Sequence, residues 1–320
     1  MSFGEYLSHD RDGRPFADFG RKAQQVSLRD AYAYCRRIAR ESSSNFYHAF
    51  RLLPAAQRDS LCAAYAFCRF IDDLADEQPV LPPPAGDARG RREDLERWFS
   101  AWREELGRCY DGSPRHPISI ALAHTVRRFP VRKEHLAGII DGAEMDLRRQ
   151  RYETFSDLYR YCYHVASLVG LVCIEIFGYK NPAARDYAVN LGLAFQMTNI
   201  LRDVGEDGAR GRIYLPLEDL ARFHYPEASL LAGVYNRAFV RLMSFQCQRP
   251  REFYARAASH LPREDRRSLA PAEAMRSIYS RILDGIVARN YRVFDHRVTL
   301  ATGHKVALAL AAWTRARLPF

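Results

Sequence analysis

From Ser27 onward, apolar residues recur at spacings of three and four, the mark of amphipathic helices. Ser27-Leu28-Arg29-Asp30 opens the first predicted helix, which runs to about Arg40. Pro54 suits a first-turn position, and a second helix follows from Ala55 to Asp76 with Leu61, Ala64, Tyr65, Phe67, Cys68 and Ile71 as its apolar stripe. Gln78 to Gly90, with Pro79, Pro82, Pro83, Pro84 and Gly86, reads as a loop. The pattern then predicts helices at 91–110, 117–129, 132–150, 154–178, 182–207, 227–246, 249–260, 271–297 and 303–316. Alternating strand patterns are missing, and no long repeat is visible. The expectation is an all-α protein: a polar arm over 1–26, then one helical domain over 27–320.

Composition narrows the class. The chain has 320 residues, 48% of them hydrophobic and 27% charged, which excludes disordered, collagen-like and disulfide-scaffold proteins. The longest apolar stretch, Val165 to Phe177, is broken by Glu175, so no membrane span is expected. Residues 1–20 lack an apolar block, so the expected location is the cytoplasm. The 7 cysteines include no C-x-x-C pair and read as small buried hydrophobes. A net charge of +10 suits phosphorylated substrates or an anionic membrane surface. No nucleic-acid-binding signature is present.

Two acidic stripes change the picture. Asp72 and Asp76 are spaced i, i+4 and share one helical face, with Asp73 at its border and Arg69 and Tyr65 continuing it. Like charges at this spacing, near a helix C-terminus, need a cation for compensation. The second stripe is Asn199, Asp203 and Asp207, with Arg202 beside it and Arg210 and Arg212 following. Oxygen ligands without organised His or Cys favour Mg²⁺, which binds through one or two carboxylates plus substrate phosphates. Arginines flanking both stripes suit the remaining phosphate oxygens. One stripe alone reads as a solvated acidic face; two together predict a metal–diphosphate clamp, its helices facing across a cavity.

These stripes, with several other segments, resemble the squalene/phytoene synthase family. The segments are Ser42-Ser43-Ser44-Asn45-Phe46, Leu52-Leu53-Pro54, Tyr161 through Gly170, and Gly211-Arg212-Ile213-Tyr214-Leu215-Pro216. The resemblance implies an all-α class I isoprenoid synthase bundle around a central cavity, and head-to-head (1′–1) condensation of two identical prenyl diphosphates. It implies Asp72, Asp76, Asp203 and Asp207 as Mg²⁺ ligands (Mn²⁺ could substitute), with Asp73 and Asn199 counted in the same metal site and Asn199 also supporting the diphosphates. Arg69, Arg202 and Arg212 would support the diphosphates, and Tyr65 and Tyr161 would stand at the reaction centre. Ser43, Asn45, Phe46, Val165, Gly170, Gln196 and Tyr291 would lie near the substrate; Asn45 stands where serine is common in relatives. Phe50 and Cys62, below the metal layer, are expected to limit the length of the prenyl tail.

Within the family, the wording of Val165-Ala166-Ser167, Cys173 through Gly178 and Asn290 through His296 resembles bacterial presqualene diphosphate synthases of hopanoid pathways. Two farnesyl diphosphates would then give presqualene diphosphate. Phytoene synthase, acting on geranylgeranyl diphosphate, and the C30 squalene or dehydrosqualene synthases are the alternatives. A family-derived scaffold protein would be expected to lose the aspartates, and a terpene cyclase would not need the segments around Ser43 and Tyr161. Gly205 to Gly211 follows no strand, so NADPH is not expected. Asp141, Glu144 and Asp146 with Arg148 and Arg149 read first as a solvated helix end, with a third polar lining of the site as the alternative. Lys305 to Phe320 is amphipathic and could rest peripherally on the inner face of the cell membrane. No oligomeric state is readable.

Overall fold

The computed structural model describes residues 26–42, 53–76 and 88–317. Ser43, Asn45, Phe46, Phe50, the N-terminal arm before residue 26 and most of the proline-rich loop lie outside the described residues. Helices dominate, and among the described residues the sole β-like pairing outside helices is an isolated bridge between Arg151 and Ile213. Contacts divide the described residues into two compact units, one within 26–144 and one within 145–317.

The first unit contains α1 (Leu28–Glu41), α2 (Ala55–Asp76), α3 (Ala88–Asp111), α4 (Pro117–Arg128) and most of α5 (Lys133–Arg148). Ser27 caps α1 by accepting the Asp30 amide at 3.2 Å. The predicted span of α2 is the observed one. Its Leu61, Ala63, Ala66, Phe67, Phe70 and Ile71 are buried, as are Trp98, Phe99 and Trp102 of α3. Each large apolar side chain so removed from water stabilises the unit by roughly 2 kcal/mol before entropy is subtracted. At the start of α4, the buried Glu105 carboxylate accepts the amides of Arg115 (2.5 Å) and His116 (3.0 Å) and the Ser119 hydroxyl. His116 caps the helix through Nδ1, which accepts the Ile118 amide at 3.1 Å.

The second unit follows with α6 (Phe155–Cys162), a π turn (Tyr163–Ser167), α7 (Leu168–Phe177) and α8 (Ala183–Ala209). After these come short α9 (Leu217–Arg222) and α10 (Glu227–Leu231), then α11 (Arg237–His260), α12 (Ala270–Ala288) and α13 (Thr302–Arg315). The long α8 packs against α11, α12, the π turn and α7. Backbones nearly touch there: a Cβ on Gly192 would lie 2.6 Å from Ser167 Cα, and one on Gly170 would lie 2.9 Å from the Ala188 carbonyl. Only hydrogen fits at either place.

Four expectations need correction. The helix predicted over 154–178 is interrupted by the π turn, where the Leu168 amide reaches the Tyr163 carbonyl. The pair predicted over 227–246 and 249–260 is one helix, α11, preceded by the single turn α10. Pro250 sits inside α11, tolerated because Phe239, Leu242, Met243 and Cys247 before it and Phe253, Tyr254 and Ala257 after it are buried along the helix. The helix predicted to reach 297 stops at Ala288: Asn290 and Tyr291 take φ 50° and 63°, and the Tyr291 amide closes on the Ile286 carbonyl at 2.9 Å. The helical run 155–177 does have the length and composition of a membrane span, with mean hydropathy 1.3. Of that window, 56% is buried inside the protein.

Candidate functional site

The first stripe occupies the last turns of α2. Asp72 is exposed, whereas Asp73 is buried and gripped from one turn earlier by Arg69, at 2.7 and 3.1 Å to its two carboxylate oxygens. Arg69 therefore compensates Asp73, which is turned toward it rather than left as an open ligand. Of Asp76 only the backbone is described, within the helix. Tyr65 is half-buried and Cys62 fully buried, its thiol pushed up to about 11 chiefly by burial.

The second stripe lies on the C-terminal half of α8. Gln196 accepts a long 3.4 Å hydrogen bond from the Asn199 amide nitrogen. The Asn199 Oδ1 is buried without a partner, one turn before Asp203. Asp203 takes a fork from its neighbour Arg202, at 2.7 and 2.5 Å, and a second from Arg297, at 2.9 and 3.1 Å. Burial pulls the Asp203 carboxyl upward, but the two guanidiniums outweigh it and hold the group below the ordinary carboxylate range. Asp207 is half-buried, and its backbone carbonyl accepts the Arg212 amide at 2.9 Å.

Arg297 arrives from the segment after α12. Gly205, between the two aspartates, lets that segment lie close: a Cβ there would be 2.9 Å from the Val293 carbonyl and 3.0 Å from Phe294 Cα. Phe294 packs on Phe239, ring centroids 4.6 Å apart, while Val293 and Val298 are buried. Tyr291 forms the left-handed turn that starts this crossing and is half-buried.

A third cluster gathers around Asp146, on the last turn of α5. Tyr161 donates to one of its carboxylate oxygens at 2.7 Å and Tyr214 to the other at 3.0 Å. The three rings of Tyr152, Tyr161 and Tyr214 pack together with centroids 5.4–5.7 Å apart. Burial first, then the Asp146 charge, pushes the phenols of Tyr161 and Tyr214 far above 10, so both remain proton donors. The link before α6 holds Tyr214 there: the amides of Ile213, Leu217 and Glu218 reach the carbonyls of Gln150, Tyr152 and Glu153 at 2.9–3.1 Å. Asp146 is thus no solvated helix end. Asp141 and Glu144 instead bind Arg103, at 2.6 and 2.8 Å. Val165 falls in the π turn, half-buried, and Arg212 is half-buried in the loop after α8.

Among the described residues, no group of three or more His, Cys, Asp and Glu side chains is placed to hold a metal ion by itself. The second stripe nevertheless fits Mg²⁺ chemically: the orphaned Asn199 oxygen and the Asp203 and Asp207 carboxylates are hard donor types on one face, Asp203 becoming a ligand once one of its arginines yields, with water and phosphate to complete the shell.

The family model of squalene/phytoene synthases matches residues 39–304. The chain belongs to the squalene/phytoene synthase family. Members are prenyltransferases that condense prenyl diphosphates. A phytoene synthase of Arthrospira platensis is 38% identical, the alignment covering 90% of this chain and 94% of that protein. A crystal structure of a dehydrosqualene synthase in complex with a ligand superposes at a TM-score of 0.76 and 30% identity, covering 90% of this chain and 97% of the other. The squalene synthase HpnC of Alicyclobacillus acidocaldarius does so at 0.64 and 26%, covering 93% and 99%. The fold is the squalene synthase-like isoprenoid synthase fold.

Proposed function

We propose that this protein is a Mg²⁺-dependent prenyltransferase that joins two identical prenyl diphosphates head to head. The observation that carries the reading is the orphaned Asn199 oxygen one turn from Asp203, in a chain of this family. Asp72 and Asp76 on one stripe, and Asn199, Asp203 and Asp207 on the other, would hold the ions. When bound, such ions neutralise the leaving diphosphate and promote loss of the allylic C–O bond. Tyr161, protonated and fixed on Asp146, would present its ring to the carbocation and keep its hydroxyl hydrogen engaged. Phe195, packed at 4.6 Å on Tyr279, would add a second aromatic face.

Two chain lengths stand as readings. The 38% identity to a phytoene synthase across most of both chains favours geranylgeranyl diphosphate and phytoene. The wording of three short segments, together with solved neighbours named dehydrosqualene synthase and squalene synthase, favours farnesyl diphosphate and presqualene diphosphate as the second. The test is to incubate the full chain with Mg²⁺ and either substrate, without NADPH, and to identify products by mass spectrometry. Phytoene from the C20 substrate supports the first reading, and presqualene diphosphate from the C15 substrate the second. Coupled product from neither would remove the condensation and leave the scaffold alternative. Asp203→Asn is expected to lower turnover at least about 100-fold, by loss of a charged ligand to the ion that would neutralise the diphosphate.

A further inference from the structure

Asp203 has no coordination site to offer as it stands. A carboxylate has about four lone-pair positions, and two guanidinium forks point four N–H groups at them. An incoming cation must therefore displace one arginine. Arg202 is the less able to leave: its side chain is only 11% exposed and is tethered at the adjacent position on the same helix. Arg297 is 47% exposed, lies 94 residues further along and has Glu206 within 3.6 Å as an alternative partner. Its backbone need not move, because Val293, Phe294 and Val298 anchor the segment and only the side chain must rotate.

We propose that Arg297 is a displaceable counter-ion of Asp203, competing with the metal for the carboxylate and thereby setting the affinity of the second stripe for divalent cations. Before metal entry, Arg297 offsets the charge of Asp203; on entry it swings to Glu206 or solvent. The metal reading of the preceding section is assumed, and the two are separable by experiment.

The probe is Mn²⁺, whose free ion is counted by electron paramagnetic resonance in solutions of the full-length protein without substrate. Arg297→Gln is expected to bind Mn²⁺ about tenfold more tightly than the parent. Arg292→Gln, on the same segment but directed at Asp295 and the Tyr235 ring, removes equal charge without touching Asp203 and should change affinity less than about twofold. Arg297→Lys, which keeps the charge and loses the fork, should gain affinity to a lesser degree and carries the test if the glutamine variant does not fold. Unchanged or weaker binding in both Arg297 variants, with the parent still binding, overturns the competition alone. An equal gain in Arg292→Gln also overturns it, by reducing the effect to long-range charge. Absence of binding in the parent and in every Arg297 variant, or a parent-like Asp203→Asn, overturns the metal site and the competition together.

Discussion

His116 is buried at the start of α4, where its Nδ1 serves the Ile118 amide and burial pushes its pKa down to about 3. The unfolded chain would protonate this imidazole near pH 6.5, so between the two values the unfolded state holds the extra proton. Stability is then fully present above pH 6.5 and lost as pH falls toward 3, by about 2 kcal/mol between pH 7 and pH 5. Urea unfolding at those two pH values measures it. His116→Asn keeps a capping side chain without the titration and should flatten that part of the profile. Residue-scale chemistry also shows where local pattern stops informing. The compensation of Asp73 by Arg69 is readable at i, i+4, whereas Asp203 and Arg297 have no shared periodicity. Asp146 looked solvated because its donors, Tyr161 and Tyr214, come from two other elements.

At the level of elements, glycine decides how closely α8 can lie to its neighbours. Replacing an interior helical glycine by alanine ordinarily favours the helix by up to ~1 kcal/mol. At Gly192 the added Cβ would instead fall 2.6–2.8 Å from the backbone of Ala166 and Ser167, which cannot rotate away. Gly192→Ala is therefore expected to destabilise the protein by about 1–3 kcal/mol, seen as a lower urea midpoint. Most elements were legible because start signals and periods agree: Ser27 begins α1 and Pro54 precedes α2. The misreadings fall where tertiary burial overrides a local rule. Pro250 argues for a break that α11 does not take, and the end of α12 was signalled by Asn290, a residue suited to left-handed φ.

For the whole chain, a ligand that binds only the folded state raises its melting temperature by mass action. With Mg²⁺ and inorganic diphosphate together at roughly 100 times their dissociation constant, the shift should be about 5 °C. Asp203→Asn should cancel it, and diphosphate without metal should produce little of it; differential scanning calorimetry reads both. Family and fold class were recognisable from the two stripes and their companion segments, since each keeps its chemistry within a dozen residues of sequence. Substrate length was not. It depends on side chains contributed from separate elements, and among the expected ones Cys62 is buried while Phe50 lies outside the described residues.

The π turn at 163–167 leaves this stretch with one residue in reserve. A π turn is in effect one residue more than a regular helix would use. Deleting a single residue there would leave an uninterrupted α-helix, with helicity preserved or improved. The elements on either side would keep their relative rotation, because the wider turn already absorbs the roughly 100° that the extra residue adds. Tyr161 would stay on Asp146 and Gly170 against Ala188. Loops elsewhere can gain or lose residues cheaply. Here the helix itself can give one up and keep its tyrosine cluster.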